Sequence, residues 1–144
     1  MNDTATKQGT IAITEADLQR LRRLIALMRT PGPDKASEYL DQLEDELDRA
    51  EIVTPQAIPQ DVITMRSRVR LRDVVSGHES VYALVFPQEA DVGQGKISIL
   101  APIGTAMIGC RIGETIEWPV PAGLKRFRVE AILYQPERAG DYHL

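Results

Sequence analysis

Two apolar seams run toward one another along this chain and stop at the same breaker. Leu18, Leu21, Ile25 and Met28 recur at spacings of three and four residues, and Ala36, Leu40, Leu43, Leu47 and Ala50 resume that spacing beyond "RTPGPDK". Spacing of this kind gathers each set on one face of a helix. The intervening Pro-Gly-Pro cannot continue a helix, and a connection so short permits only antiparallel packing. Residues 14–52 are therefore read as a short antiparallel hairpin of coiled-coil type. Its helices would be roughly 15–18 residues, which is about 22–27 Å at 1.5 Å per residue. Thr14 is suited to cap the first helix, with Glu15 and Asp17 placed favourably in its first turn. Ahead of it, residues 1–13 are read as a polar tail ending in a possible short strand, "TIAIT".

Charge is distributed unevenly about the breaker. Residues 14–51 hold ten acids against six bases, whereas residues 52–144 hold ten of each. The second helix carries most of the acids and the first carries Arg20, Arg22, Arg23 and Arg29. A solvated, partly paired helix face accounts for this arrangement. An acidic hairpin is a poor surface for nucleic-acid phosphates.

Pro55 and Pro59 mark residues 53–62 as a linker, and beyond it the apolar period changes from 3.6 to two. In "MRSRVRLRD", Met65, Ser67, Val69 and Leu71 face one way while Arg66, Arg68, Arg70 and Arg72 face the other. Val81 to Phe86 is apolar throughout, as a central strand would be, and Lys96 to Leu100 gives a third strand. Thr105 to Gly109 reads as a short helix, and Glu114 to Pro119 with Leu124 to Tyr134 as a final strand pair. The order β-β-β-α-β-β makes residues 63–144 a small, mainly antiparallel sheet with one short helix, and the whole chain α+β.

Chemistry-bearing patterns are sparse. His78 sits in a turn and His143 beside the C-terminal residue, so no nucleophile has a base and an orienting acid suggested by its position. Cys110, flanked by glycine, reads as a small buried filler, and one Cys with two His is too few for a structural zinc site. "GQGKIS" lacks the spacing of a phosphate loop, and a strand rather than a helix follows it. No catalytic residue, metal ligand or cofactor is assigned. A lone cysteine, no apolar run approaching ~20 residues and no basic-then-apolar start make a cytoplasmic location, away from membranes, the expectation.

The row Arg66, Arg68, Arg70 and Arg72 is the strongest surface feature. Alternate strand residues stand about 6.7 Å apart, and Arg126 and Arg128 extend the row if the last strand pairs nearby. Two readings stay open: charge that protects an edge strand from unwanted pairing, or contact with an acidic protein surface, including the chain's own acidic helix. Direct nucleic-acid binding is not expected, because no stacking aromatics are interleaved.

The segment from Ser98 through Glu114 follows S-x-x-[AS]-P-[IL]-G-x-A-[LM]-[IL]-G-x-x-x-G-[DE]. With the hairpin, this segment resembles the Gre-type transcript-cleavage factors. The linker "IPQDVITMRSRVRLRD", the tail "YQPERAGDYHL" and the short hairpin direct the resemblance to the branch of regulators of nucleoside diphosphate kinase, over nearly the whole chain. The resemblance implies an FKBP-like C-terminal domain that docks on bacterial RNA polymerase near its secondary channel. It places the docking surface at Leu100, Ala101, Pro102 and Ile103, although a purely structural role for that turn is also open. In Gre factors a long coiled coil enters the channel, and two acids at its tip help to hold a catalytic magnesium ion. Here the tip is Thr30, Pro31, Gly32, Pro33 and Asp34, with a single acid followed by Lys35, a poor cation site. A non-enzymatic polymerase-binding regulator is thus expected, its link to nucleoside diphosphate kinase being direct contact or a consequence of transcription. The alternative is a peptide-binding or peptidyl-prolyl isomerase module that uses Phe86, Trp118, Phe127 and the tyrosines.

Overall fold

The computed structural model describes residues 11–29 and 35–141. The expected tip, Thr30 to Asp34, lies outside the described residues, as does His143.

Both seams form helices of 14 residues, α1 (Glu15–Met28) and α2 (Lys35–Asp48), each about 21 Å long. Leu18, Leu21 and Ile25 are buried with Leu40, Leu43 and Leu47. Met28 departs from the expected seam and is 48% exposed. The cap forms as expected: the Asp17 amide donates to Thr14 Oγ1 at 3.2 Å. Arginines of α1 pair with acids of α2, Arg22 with Asp48 at 3.0 Å and Arg29 with both Asp41 and Glu44.

The base of the hairpin is closed by a pairing that the sequence did not suggest. β1 (Ala12–Thr14) runs parallel to β2 (Glu51–Val53), with Ile13 opposite Ile52. The chain thus enters and leaves the hairpin side by side, and the linker that follows opens with a tight turn at Pro55–Ala57.

The second part contains β3 (Arg68–Asp73), β4 (Glu79–Val85), β5 (Lys96–Ser98), α3 (Pro102–Met107), β6 (Thr115–Val120) and β7 (Gly123–Tyr134), followed by a short α4 (Pro136–Ala139). The five strands form one sheet in the order β5-β4-β3-β7-β6, antiparallel except for the parallel pair β4 and β5. β7 carries two irregularities of register against β3, at Arg68/Val69 and Arg70/Leu71. Bulges of this kind increase the local twist.

Several expectations need correction. β3 is the central strand, so edge protection cannot explain its arginines. β3 also begins only at Arg68. Arg66 precedes it in a left-handed conformation (φ 67°), which removes this residue from the alternating row. β4 is not buried on both faces, since Val81 is 45% exposed. The short helix starts at Pro102 rather than Thr105, because proline's fixed φ suits the first helical position.

A single apolar cluster joins the two parts of the chain. Residues of both hairpin helices meet Val69, Leu71, Leu84, Ile116 and Val129 of the sheet and Met107 of α3. Cys110 is fully buried within it, as expected. Gly109 (φ 82°) lies directly under Ile11, and a Cβ there would fall 2.0 Å from Ile11 Cγ2. The N-terminal strand is seated against the sheet domain at this glycine.

Candidate functional site

The turn from β5 into α3 is built almost wholly from its own polar groups. Ser98 Oγ accepts from the Leu100 amide at 3.0 Å, and Ser98 O accepts from the Ala101 amide at 3.0 Å. The buried Thr105 hydroxyl donates to Ile99 O at 2.7 Å. A Cβ on Gly104 would fall 2.0 Å from Ser98 O, so the helix rests on the preceding backbone at a distance that only glycine permits. These contacts give a physical reason for the serine, glycine and threonine of the Ser98–Glu114 segment. Leu100, Ala101, Pro102 and Ile103 are left half-buried, with Leu100 and Ile103 also packed on the core. The four expected docking residues therefore sit together on one rigid corner.

A second cluster, which the sequence did not reveal, lies where α1 meets the sheet. The Phe86 ring has the Arg66 guanidinium 5.2 Å and the Arg20 guanidinium 5.8 Å from its centroid, within the range of cation–π attraction. Arg66 is further fixed by a bond from its amide to Leu84 O and by a 3.1 Å pair from Nε to Glu89. Beside them Asp17 is 5% exposed. Burial, reinforced by the Glu137 charge and partly offset by Arg20, Arg66 and the Thr14 hydroxyl, pushes its carboxyl up to about 6. Asp17 and Glu137 line a cleft of about 360 Å³ between hairpin and tail. Among the described residues no group of three or more His, Cys, Asp or Glu could hold a metal ion.

The tail and linker motifs prove to be one structural unit. Gln135 is fully buried and donates from Nε2 to both Pro59 O and Val62 O, while its Oε1 accepts from the Arg138 amide. Thr64 donates to Glu137 at 2.8 Å, and Tyr134 to Asp141. Trp118 and Phe127 meet edge to face at 4.9 Å, with Tyr82 stacked beyond Phe127. Of the aromatics considered for a proline pocket, Tyr82, Trp118 and Phe127 pack against one another, while Phe86 lies against Arg20 and Arg66. His78 lies exposed in the turn before β4. Arg68 and Arg72 are exposed on the outer face of the sheet, where Arg72 stands opposite Arg128.

Comparison with known proteins agrees with this two-part geometry. The profile of the GreA/GreB transcription elongation factor C-terminal family matches residues 58–134, and that of the Rnk N-terminus matches residues 10–53. The chain is 38% identical to the regulator of nucleoside diphosphate kinase of Escherichia coli (strain K12), over 94% of this chain and 97% of that protein. It is also 38% identical to the transcription elongation factor GreA of Syntrophotalea carbinolica, over 66% of this chain and 60% of that one. Among solved structures, a prokaryotic transcription elongation factor GreA/GreB from Nitrosomonas europaea superposes with a TM-score of 0.74 at 41% identity. That match covers 88% of this chain and all of the other. No helix among the described residues is long and apolar enough to cross a membrane.

Proposed function

The chain belongs to the GreA/GreB family, in the branch that carries an Rnk N-terminus, and from that premise we propose that it is a non-enzymatic, cytoplasmic transcription regulator that docks on bacterial RNA polymerase near the secondary channel. The observation that carries the reading is the corner at Leu100–Ile103. There, half-buried apolar side chains are held on backbone with no slack. A preorganised apolar patch of this kind suits protein recognition, because little ordering is lost on binding. A C-terminal domain of FKBP-like type fits the same proposal.

Two features of the chain weigh against cleavage activity. Two 14-residue helices give a finger of only about 21 Å. Asp34 is the sole acid in the tip sequence and has Lys35 beside it, an unfavourable setting for a hard divalent cation. The relation to nucleoside diphosphate kinase rests on the name of the Escherichia coli relative. An effect through transcription is sufficient to account for it.

Core RNA polymerase retained on the immobilised full chain tests the proposal. We expect Pro102→Glu and Ile103→Glu, each checked for folding by thermal melting, to weaken retention at least about tenfold. Unchanged retention by folded variants would defeat the docking surface, and no retention by the unaltered chain would defeat the proposal as a whole. Adding the protein to backtracked elongation complexes should yield no shortened transcript. Metal-dependent cleavage would show that the tip is catalytic after all.

A further inference from the structure

The arginines of β3 stand in the middle of the sheet, on the face opposite Val69 and Leu71 and hence away from α3. Several of their neighbours are small. In register, Arg70 lies between Val81 and Ala131, Arg68 lies beside Ala83, and β5 places Lys96 beyond Ala83 in the same row. An open groove of about 350 Å³ results, with Arg66, Arg68 and Lys96 along it and Val81, Ala83 and Val85 as its apolar part.

Most basic groups on this face have an acid nearby: Arg66 has Glu89, Arg70 has Glu79, Arg126 has Glu117 and Arg128 has Glu130. Arg68, Arg72 and Lys96 are exposed and form no ion pair among the described residues, although Glu79 stands opposite Arg72 on β4. Two buried polar atoms are also unmatched. Glu89 Oε1 has no donor, and Arg70 Nε has no acceptor because the Glu79 carboxylate is 3.9 Å away. Buried polar atoms left in this state are costly.

An occupant suited to the exposed basic groups and to the apolar part of the groove must bring carboxylates and some apolar surface. An acidic peptide brings both. A nucleic acid would also call for stacking rings, of which the groove offers one, Tyr134. We propose that the outer face of β3, β4 and β5 is a docking groove for an extended acidic segment of a partner protein. Arg68 and Arg72 are about 13 Å apart along the strand, so carboxylates four residues apart on an extended segment reach both. The groove lies on the other side of the sheet from the α3 corner and is independent of the polymerase proposal.

The test uses the full chain and a fluorescein-labelled peptide of eight residues in which Glu alternates with Thr, followed by anisotropy and by amide shifts in NMR. We expect saturable binding below about 1 mM, with shifts centred on Arg68, Ala83 and Lys96. The R68E/K96E double variant should weaken binding at least tenfold, while Arg49→Glu on the hairpin should leave it unchanged. A peptide with Lys in place of Glu should not bind, and an eight-nucleotide oligo-dT should bind more weakly than the acidic peptide. Lack of saturation, equal loss in Arg49→Glu, shifts on another surface or tighter binding of oligo-dT would each overturn the proposal. Should the double variant fail to fold, the shift map on the unaltered chain still decides. Polymerase retention by R68E/K96E should stay normal, so failure here is distinguishable from failure at α3.

Discussion

At the turn into α3 a single added carbon has nowhere to go, whereas along the charged flank of the hairpin whole side chains can be exchanged without displacing a neighbour. Gly104 rests on the Ser98 carbonyl, and the hydroxyls of Ser98 and Thr105 are both used within the turn. On the flank, Arg22 and Arg29 reach Asp48, Asp41 and Glu44 through side chains that are 34–65% exposed. The turn is fixed by excluded volume and by buried hydrogen bonds, both of which act at full strength away from water. The flank is held by exposed pairs that water and salt weaken. A partner meeting the turn finds one shape, while a partner meeting the flank finds charge without a fixed shape.

The largest expected effect comes from placing a methyl group where the turn has no room. Gly104→Ala would drive Cβ to within 2.0 Å of Ser98 O and 3.1 Å of Ile99 Cα, both backbone atoms. The helix must shift away, at a cost of about 3 kcal/mol, which corresponds to a fall in Tm of roughly 10 °C for a chain of this size. Differential scanning calorimetry would measure it. A change of only a degree or two would mean that α3 can slide and that the corner is not preorganised.

How far the sequence could be read follows the same division. Periodicity exposes any element whose side chains alternate between core and water, so the two helices, the central strands and the capping Thr14 were legible. Pairing between distant backbone segments leaves no such trace. The three-residue ladder of β1 and β2 was therefore missed, and β3 could be taken for an edge when it is central. Arg66 was placed in the alternating row because its residue type suits that row, and only its left-handed backbone takes it out. Asp17 shows a third kind of blindness. An acid in the first turn of a helix is ordinarily a solvated partner of the helix dipole, and only the docking of the hairpin on the sheet buries it. The candidate corner was named from motif residues alone. Its physical reason, the contact of Gly104 with Ser98, required the fold.

Asp17 supplies the next prediction, at the junction between the two regions. Its carboxyl is held at about 6 rather than its ordinary 3.8, so the folded chain takes up this proton more readily than the unfolded one. Stability contributed by this group is therefore present below about pH 4 and is lost as pH rises to about 6. Asp17→Asn removes the charged form and should raise stability by about 3 kcal/mol at pH 8. The gain should shrink through the window from about 6 to about 4 and vanish below it. Urea denaturation at pH 8 and pH 4 checks both sign and window. Destabilisation at pH 8 would mean that the Arg20 and Arg66 charges outweigh the burial.

The smallest effect is expected on the charged flank, and it sharpens the contrast most directly. Arg29 donates from Nη2 to Asp41 at 2.8 Å and to Glu44 at 2.6 Å, and these two carboxylates raise its own ionisation further above the usual guanidinium range. Two short contacts to one guanidinium look decisive, yet all three groups remain in contact with solvent, so most of their attraction replaces good hydration. Arg29→Ala should therefore lower Tm by no more than about 2 °C at low salt, and the difference should disappear in 1 M sodium chloride, where charges are screened within about 3 Å. A fall comparable with that of Gly104→Ala, or one that survives high salt, would show that the hairpin's far end is held as rigidly as the turn. The finger would then have to be treated as a shaped surface rather than a charged one.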